Sequence, residues 1–194
     1  QAAQYGVTDG GYSTQAVFLD YDHDGDLDLF LIRNSPKPVS SFSLRNMRNV
    51  RDPYGGARLY RNDGGHFTDV SAAAGIHSPE LAFGLGVVVA DVNNDGWPDI
   101  YVANDYGPEE LFLNDHGVRF TRANAGLEND SKSGMSVALG DAYNPGRLDA
   151  FVSNLSVRGY LFQNNNLRLN RMAESGQFRN LAQGPIAAAG WAGG

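Results

Sequence analysis

The chain has 194 residues, a length that suits one domain of ordinary size or a piece of a repeat array. Its net charge is −7, and no basic face or basic–aromatic module stands out, so the composition disfavours nucleic-acid binding. The absence of cysteine excludes disulfides, thiolate metal sites and cysteine nucleophiles, and no apolar run reaches the roughly eighteen residues of a membrane-spanning helix.

The first predicted strand, 15–19, leads into the acidic stretch 20–28, which runs into an apolar strand at 27–33. Carboxylates this close together repel one another in water, and a hard dication such as calcium removes that penalty. We number the places of this stretch from Asp20 as place 1 to Asp28 as place 9. Gly25 at place 6 lets the backbone turn sharply, so that the side chains at places 1, 3 and 5 converge on one point. The candidate calcium ligands are Asp20, Asp22, Asp24, Asp26 through its backbone carbonyl, and Asp28.

An insertion at 34–57 separates this part of the chain from two further predicted strands at 57–62 and 66–70, and it has no counterpart elsewhere in the sequence. It concentrates arginine and aromatic side chains, whose planar donors and ring faces suit the recognition of carboxylate, sulfate or sugar groups. A surface excursion packed on a neighbouring unit would explain the same composition. The candidate ligand-binding residues are Arg45, Arg48, Arg51 and Tyr54.

The second unit repeats this order, with predicted strands at 86–90, 99–103, 110–114 and 118–122. Stretch 91–99 has the same spacing of acids and glycine as the first. Solvated turns would explain one such stretch, but two in the same register before the same kind of strand favour metal binding. An EF-hand would need a glutamate at place 12 and flanking helices, whereas Leu31 and Val102 stand there. The candidate ligands are Asp91, Asn93, Asp95, Trp97 through its carbonyl, and Asp99.

The third unit has predicted strands at 135–139, 148–152, 159–163 and 176–181. Its loop, 141–149, keeps the acids at places 1 and 9 and the glycine at place 6. Tyr143 and Pro145 stand at places 3 and 5, where the first two loops have oxygen ligands. Proline has no side-chain oxygen and a phenol is a poor calcium ligand, so both ligands are lost here. The sequence therefore predicts two calcium sites and a third loop that keeps the turn without the ion. Arg147 is expected to replace part of the ion's charge.

Four short strands recurring about every fifty residues are typical of β-propeller blades, and the predicted fold is all-β. After each fourth strand comes a joint rich in small residues, at 71–76, 122–127 and 181–186, and Tyr5-Gly6-Val7 repeats it. The predicted organisation is the end of a preceding blade at 1–14, blades at 15–76, 77–127 and 128–186, and the start of a further blade at 187–194. The chain is expected to be part of a longer propeller. A β-sandwich would use the same strands but would not explain the recurring joint.

Three segments carry a family resemblance: Phe18-Leu-Asp-Tyr-Asp-His-Asp-Gly-Asp-Leu-Asp-Leu-Phe30, Leu59-Tyr-Arg-Asn-Asp63 and Phe67-Thr-Asp-Val-Ser-Ala-Ala-Ala-Gly-Ile76. They resemble FG-GAP/VCBS repeat proteins, above all the bacterial branch related to cartilage acidic protein, whose members often carry an ASPIC/UnbV domain. No segment of this chain is recognisable as that domain. The resemblance implies a propeller with calcium held between inner strands, as in the integrin α-subunit head.

The leading functional hypothesis is an extracytoplasmic, calcium-stabilised propeller that acts as a binding or adhesion scaffold for a protein or carbohydrate ligand. Extracellular modules bind calcium at concentrations that the cytosol does not offer. A calcium-assisted polysaccharide lyase or hydrolase is the enzymatic alternative, although the sequence contains no recognisable catalytic constellation. A structural surface or fibre subunit is the third hypothesis.

Overall fold

The computed structural model describes residues 1–8, 10–34, 54–76, 83–105, 107–127, 134–154 and 165–181. Within these ranges the chain forms twelve β-strands, a 3-10 helix at Ala2–Tyr5 and one short α-helix. None of the described helices is long and apolar enough to cross a membrane. The expectation of an all-β chain is confirmed.

The first sheet contains four antiparallel strands that are hydrogen-bonded in chain order. They are β1 (Tyr12–Leu19), β2 (Asp28–Asn34), β3 (Arg58–Asp63) and β4 (His66–Asp69). The apolar run of β2 is buried on both faces, whereas β1 and β4 at the edges are largely exposed. This burial explains why β2 lacks the apolar–polar alternation of a half-buried strand.

The other two sheets repeat this order. The second contains β5 (Gly84–Ala90), β6 (Asp99–Asn104), β7 (Glu110–Asp115) and β8 (Arg119–Ala123). The third contains β9 (Gly134–Gly140), β10 (Asp149–Asn154), β11 (Asn166–Arg171) and β12 (Gln177–Asn180), with α1 (Met172–Ser175) between the last two. Each sheet is one blade, and we call them blades 1, 2 and 3.

One predicted strand was wrong. The sequence pattern placed the third strand of blade 3 at 159–163, but β11 pairs with β10 at that place in the sheet, with Phe151 opposite Leu167. Residues 159–163 themselves lie outside the described residues, as do most of the joint predicted at 181–186 and all of 187–194. The other eleven strands lie within a few residues of their predicted positions.

Adjacent blades pack face to face, and their apolar side chains form one core at each interface. The core between blades 1 and 2 brings Phe30 of β2 against Phe112 of β7, with ring centroids 6.4 Å apart. The core between blades 2 and 3 brings Tyr101 of β6 against Phe178 of β12. The first strands of the blades also meet, because the Thr14 hydroxyl donates a hydrogen bond of 2.7 Å to the Gly84 carbonyl.

The joints connect adjacent blades at the edge formed by the fourth strands, opposite to the edge where the first strands meet. In the joint after β4, the Ala74 carbonyl accepts a 2.7 Å hydrogen bond from the Phe120 amide of β8. In the joint after β8, the Ala125 carbonyl accepts a 2.9 Å bond from Phe178 of β12. Each joint therefore adds itself to the last strand of the following blade, which agrees with the recurrence predicted from the sequence.

Candidate metal centre

Three loops of one shape connect the first two strands of the blades, at 20–28, 91–99 and 141–149. The residue at place 4 is left-handed in all of them, with φ of 58° at His23 and 59° at both Asn94 and Asn144. The glycine at place 6 is left-handed as well. Glycine adopts this conformation without steric cost, which is why it recurs there. We call the three turns loop 1, loop 2 and loop 3.

The carboxylate of the aspartate at place 1 accepts hydrogen bonds from backbone amides of its own loop. Asp20 accepts backbone hydrogen bonds from Asp24 at 3.1 Å and Gly25 at 3.2 Å. Asp91 in loop 2 accepts the corresponding bonds at 3.0 and 2.8 Å. Loop 3 keeps the second of these bonds, at 2.8 Å, through Asp141.

The aspartate at place 9 ties each loop to the third strand of its blade. Asp28 is fully buried, and its two oxygens accept the backbone N–H of Tyr21 at 3.1 Å and of Asn62 on β3 at 2.8 Å. Asp99 and Asp149 make the same pair of bonds in blades 2 and 3. This carboxylate is thus a structural element of the turn as well as a candidate ligand, which the sequence pattern did not indicate.

Loop 1 gathers three carboxylates around one point. One oxygen each from Asp20, Asp22 and Asp28 lie within 4.8 Å of one another, and Asp28 is buried while the other two are half-buried. Asp22 Oδ1 is a buried atom that has no hydrogen-bond partner. An orphaned carboxylate oxygen beside two other carboxylates is the donor set that a hard cation completes.

Asp24 and Asp26 lie at the outer part of loop 1. Asp24 accepts a 2.8 Å hydrogen bond from the Asp26 amide, and the Asp26 carboxylate accepts one of 3.0 Å from Gly64 in the turn between β3 and β4. Both are predicted ligands, and the three-carboxylate cluster does not include either of them. Their part in binding an ion stays a prediction.

The electrostatics of loop 1 reflect crowded acids. Burial raises the pKa of Asp28 to about 6, although the hydrogen bonds from Asn62 and Tyr21 oppose this shift. Burial and the neighbouring charge of Asp24 also raise the pKa of Asp22. Tyr21, which lies between two of the candidate ligands, has its pKa raised to about 12 by burial and by Asp22. The ionised forms of Asp22 and Asp28 therefore cost free energy that a bound cation would offset.

Loop 2 offers a similar donor set with one amide in place of a carboxylate. Asn93 donates a 2.8 Å hydrogen bond to Asp95, and Asp95 accepts the Trp97 amide at 2.9 Å. Burial raises the pKa of Asp99 to about 6, as it does for Asp28. The side chain of Trp97 leans toward blade 1 and stacks on His23, with ring centroids 4.1 Å apart.

Loop 3 keeps the backbone but presents different side chains. The Tyr143 side chain is largely exposed, and the φ angles of Asn144 and Gly146 are close to those at the same places of loops 1 and 2. Arg147 pairs with Glu174 of α1, so its charge is satisfied there rather than at the loop acids, contrary to the role expected of it. Asp141 Oδ1 is buried without a hydrogen-bond partner, as Asp22 Oδ1 is in loop 1.

The arginine-rich insertion connects β2 to β3, whereas loops 1, 2 and 3 connect first to second strands at the other end of each sheet. Its described ends, residue 34 and residues 54–57, therefore lie at the end of blade 1 opposite to loop 1. Arg45, Arg48 and Arg51 lie outside the described residues. Tyr54 is half-exposed and packs beside Gly10. Buried Arg33 holds this end of the insertion by donating to the carbonyls of Gly55 and Gly56.

One asparagine in each third strand is a site residue that the sequence reasoning missed. The Asn62 amide nitrogen donates to the Leu27 carbonyl of loop 1 at 3.1 Å, and its carbonyl oxygen accepts from Gly65. Asn114 and Asn170 occupy the same place in blades 2 and 3. The recurring pattern Leu-x-x-Asn at 59–62, 111–114 and 167–170 is the signal that marks them.

Comparisons with known proteins agree with the repeated loop geometry. The model of the FG-GAP-like repeat family matches residues 49–102 and 91–152, which together cover more than half of the chain. The chain belongs to the FG-GAP-like repeat family. Both matched segments contain loop 2, the second also contains loop 3, and each runs from one blade into the next.

The relatives of this FG-GAP protein include integrin alpha-7 of Rattus norvegicus and of Mus musculus, each 38% identical over 61 residues. Cartilage acidic protein 1 of Mus musculus is 34% identical over 88 residues. The aligned parts are 30% and 44% of this chain. The chain spans only 5% of the length of the integrins and 13% of the cartilage protein.

Proposed function

We propose that this protein is a calcium-binding β-propeller scaffold that acts outside the cytoplasm and binds a protein or carbohydrate ligand. The observation that carries the calcium assignment is the cluster of Asp20, Asp22 and Asp28, in which a buried oxygen of Asp22 has no hydrogen-bond partner. Loop 2 supports it because the same backbone presents the oxygens of Asp91, Asn93 and Asp95 in the same order.

The donor chemistry favours calcium over zinc. Every candidate ligand is a carboxylate, amide or backbone oxygen, and the chain has no cysteine. Zinc prefers nitrogen and sulfur ligands, whereas calcium takes six to eight oxygens in flexible geometry. When bound, the ion would supply positive charge to the loop acids, so its role would be structural.

The loops are already shaped for this role. Asp20 and Asp28 accept backbone hydrogen bonds from within the turn, so binding would chiefly order the carboxylates at places 3 and 5. A preorganised loop pays less conformational entropy on binding. Loop 3 shows the same turn around Tyr143 and Pro145, and we propose that it binds no calcium.

The extracytoplasmic location follows from the calcium that such loops need. Extracellular modules bind calcium with dissociation constants of about 10⁻⁴–10⁻³ M, far above cytosolic levels. Support also comes from relatives whose names place them among integrins and a cartilage protein. We assign a binding role and no catalytic step to the chain.

Calcium titration of the chelator-treated protein by calorimetry tests the metal assignment. We expect two ions per chain and one in the Asp22→Ala variant, which removes the oxygen at place 3 of loop 1. Asp63→Ala is the matched control, because Asp63 is an exposed acid of blade 1 that pairs with Arg61 outside loop 1. A folded protein that takes up no calcium, or an Asp22→Ala variant that still binds two ions, would refute the assignment.

The proposed ligand surface is the end of blade 1 that carries the insertion, with Arg45, Arg48, Arg51 and Tyr54. Its test uses immobilised polyuronate and sulfated polysaccharide as probes. The triple variant Arg45→Ala, Arg48→Ala, Arg51→Ala should lose retention on these probes while its calcium stoichiometry stays at two. Unchanged retention would assign the insertion to packing instead.

A further inference from the structure

The second residue of loop 1 and the second residue of loop 2 are each buried against the following blade. Tyr21 stands between two candidate ligands of loop 1, yet its ring is buried against Phe120 of blade 2, with centroids 5.9 Å apart. Val92 holds the same place in loop 2 and is buried in the core that includes Phe178 of blade 3. The chain between places 1 and 3 is therefore anchored in the following blade.

An asparagine of the following blade holds the backbone at the same point. The side-chain amide of Asn114 donates to the Tyr21 carbonyl at 2.9 Å, across 93 residues of sequence. The side-chain amide of Asn170 donates to the Val92 carbonyl at 2.7 Å, across 78 residues. The bond recurs at both interfaces between described blades, so it belongs to the repeat rather than to one local contact.

Each of these asparagines also holds its own loop. The backbone amide of Asn114 donates to Asp99 at 2.9 Å, and that of Asn170 donates to Asp149 at 2.8 Å. One residue thus links the place-9 acid of its own blade to the place-2 carbonyl of the preceding blade. A shift of the third strand is transmitted to two loops at once.

Loop 1 has two more contacts with blade 2. Trp97 stacks nearly parallel on His23, at an interplanar angle of 13°. The turn at Gly117 approaches so closely that an added Cβ would lie 2.8 Å from the Asp22 Cα. The backbone of a candidate ligand is therefore packed directly against the neighbouring blade.

We propose that Asn114 and Asn170 are positioning residues for the calcium sites of the preceding blades, so that each site is complete only when the next blade is docked. This inference rests on the proposed calcium binding. The place-2 carbonyl lies between the ligands at places 1 and 3, and its release frees both to move. Because coupling between binding and docking is reciprocal, calcium in one blade also stabilises its contact with the next.

Asn170 gives a sharper test than Asn114. Its own loop, loop 3, lacks ligands at places 3 and 5, so a change in calcium binding would report on loop 2 of the preceding blade. The parent protein carries Asp22→Ala, which removes the place-3 oxygen of loop 1 and leaves loop 2 as the calcium site. Asn170→Ala in this parent should weaken calcium binding about fivefold, the effect of losing one hydrogen bond that positions the loop. Asn124→Ala, which removes the same side chain from an exposed position in blade 2, should leave the affinity unchanged. Calorimetry measures all three proteins.

The outcomes separate the inference from the function on which it rests. A parent that binds no calcium refutes the proposed function and the inference with it. A parent that binds, together with an Asn170→Ala variant of equal affinity, refutes the inference alone.

Hydrogen–deuterium exchange of the unaltered chain provides a second test that needs no variant of blade 3 to fold. Calcium should slow amide exchange in the peptide 165–181 of blade 3, although its predicted ligands lie in blades 1 and 2. The Asp95→Ala variant should lose this protection, because it removes the place-5 oxygen of loop 2. The proposal is overturned if amide exchange in 165–181 does not change with calcium, or if the protection persists in Asp95→Ala.

Discussion

Asp22 shows how one residue can lower or raise stability according to its surroundings. Its Oδ1 is buried without a hydrogen-bond partner, and burial together with Asp24 raises its pKa. The ionised side chain is therefore unfavourable in the folded protein until a cation approaches. Asparagine has the same shape without the charge, so it separates these two effects.

We expect Asp22→Asn to have opposite effects on stability with and without calcium. In chelator the variant should melt above the parent, because the repulsion within the cluster is relieved. In excess calcium it should melt below the parent, because an uncharged amide at place 3 attracts the ion less strongly, and each tenfold loss of calcium affinity removes about 1.4 kcal/mol of the stabilisation by the ion. Thermal unfolding by circular dichroism measures both. A variant that melts below the parent in chelator would contradict the account of the orphaned oxygen.

The pH dependence follows from Asp28 and Asp99, whose pKa values rise from 3.8 to about 6 on folding. Between these values the folded chain holds more protons than the unfolded chain, so the stability of the metal-free protein should fall as the pH rises from about 4 to about 6 and level off above. Stabilisation by added calcium should grow over the same range, because the ion binds the ionised carboxylates.

Urea unfolding across this pH range, in chelator and in calcium, measures the two trends. Asp28→Asn and Asp99→Asn should each reduce the pH dependence of the free energy of unfolding of the metal-free protein. The altered hydrogen bonds would shift this free energy by the same amount at every pH, so they would not change its slope. A metal-free protein that gains stability from pH 4 to 6, about the range set by these pKa values, would show that other groups govern the acid response.

At the scale of elements, the spacing of loop and strand made most of the fold predictable. The acids at places 1 and 9 and the glycine at place 6 mark the turn, and the strands follow at fixed distances. The exception is β11. The pattern Leu-x-x-Asn occurs both at 161–164 and at 167–170, and only the first lies fifteen residues after the place-9 acid, as in blade 2. The spacing along the sequence therefore favoured the copy at 161–164, whereas the strand that pairs with β10 contains the copy at 167–170.

The site was less predictable than the fold, for a physical reason. The pattern of loop 1 shows which residues carry oxygens, but the roles of Asp28 and Tyr21 depend on partners in β3 and blade 2. Asn114 lies 93 residues from the carbonyl it holds. No local pattern contains that contact, because it exists only when two blades are docked.

Loop 3 should recover a calcium site from two substitutions. Its backbone already has the left-handed residues at places 4 and 6, and Asp141 Oδ1 is buried without a partner. The double variant Tyr143→Asp, Pro145→Asp supplies the missing oxygens, so we expect calorimetry to give three ions per chain instead of two. The Tyr143→Asn, Pro145→Ala variant, which offers one oxygen fewer, should bind the third ion more weakly. A stoichiometry that stays at two would show that backbone shape and place-1 acid do not suffice.

At the scale of the whole molecule, the interface between blades 1 and 2 and the interface between blades 2 and 3 have different side chains at equivalent positions. Phe30 meets Phe112 between blades 1 and 2. At the equivalent places between blades 2 and 3, Tyr101 and a fully buried Arg168 meet around Glu109, whose carboxylate lies 2.9 Å from the guanidinium. A buried ion pair fixes partners more than it adds stability, so it would disfavour pairing of blades in the wrong order.

The joints should control how firmly the blades hold together. At Gly75 an added Cβ would lie 2.5 Å from the Phe120 carbonyl oxygen of the next blade, and the residue has a φ of +74°. Gly75→Ala therefore combines left-handed strain with a clash against backbone. Gly176 has a φ of +66° but no atom within 4 Å of the added Cβ, so Gly176→Ala isolates the strain alone.

We expect Gly176→Ala to cost about 1–2 kcal/mol of unfolding free energy, and Gly75→Ala to cost at least about twice as much, because only the latter forces two blades apart. Urea unfolding measures both. The loss at Gly75 should also appear in calcium binding by loop 1, since displacement of blade 2 withdraws Asn114 from the Tyr21 carbonyl. Equal losses in the two variants would show that the joint tolerates the displacement, and that the blades are held by their apolar cores alone.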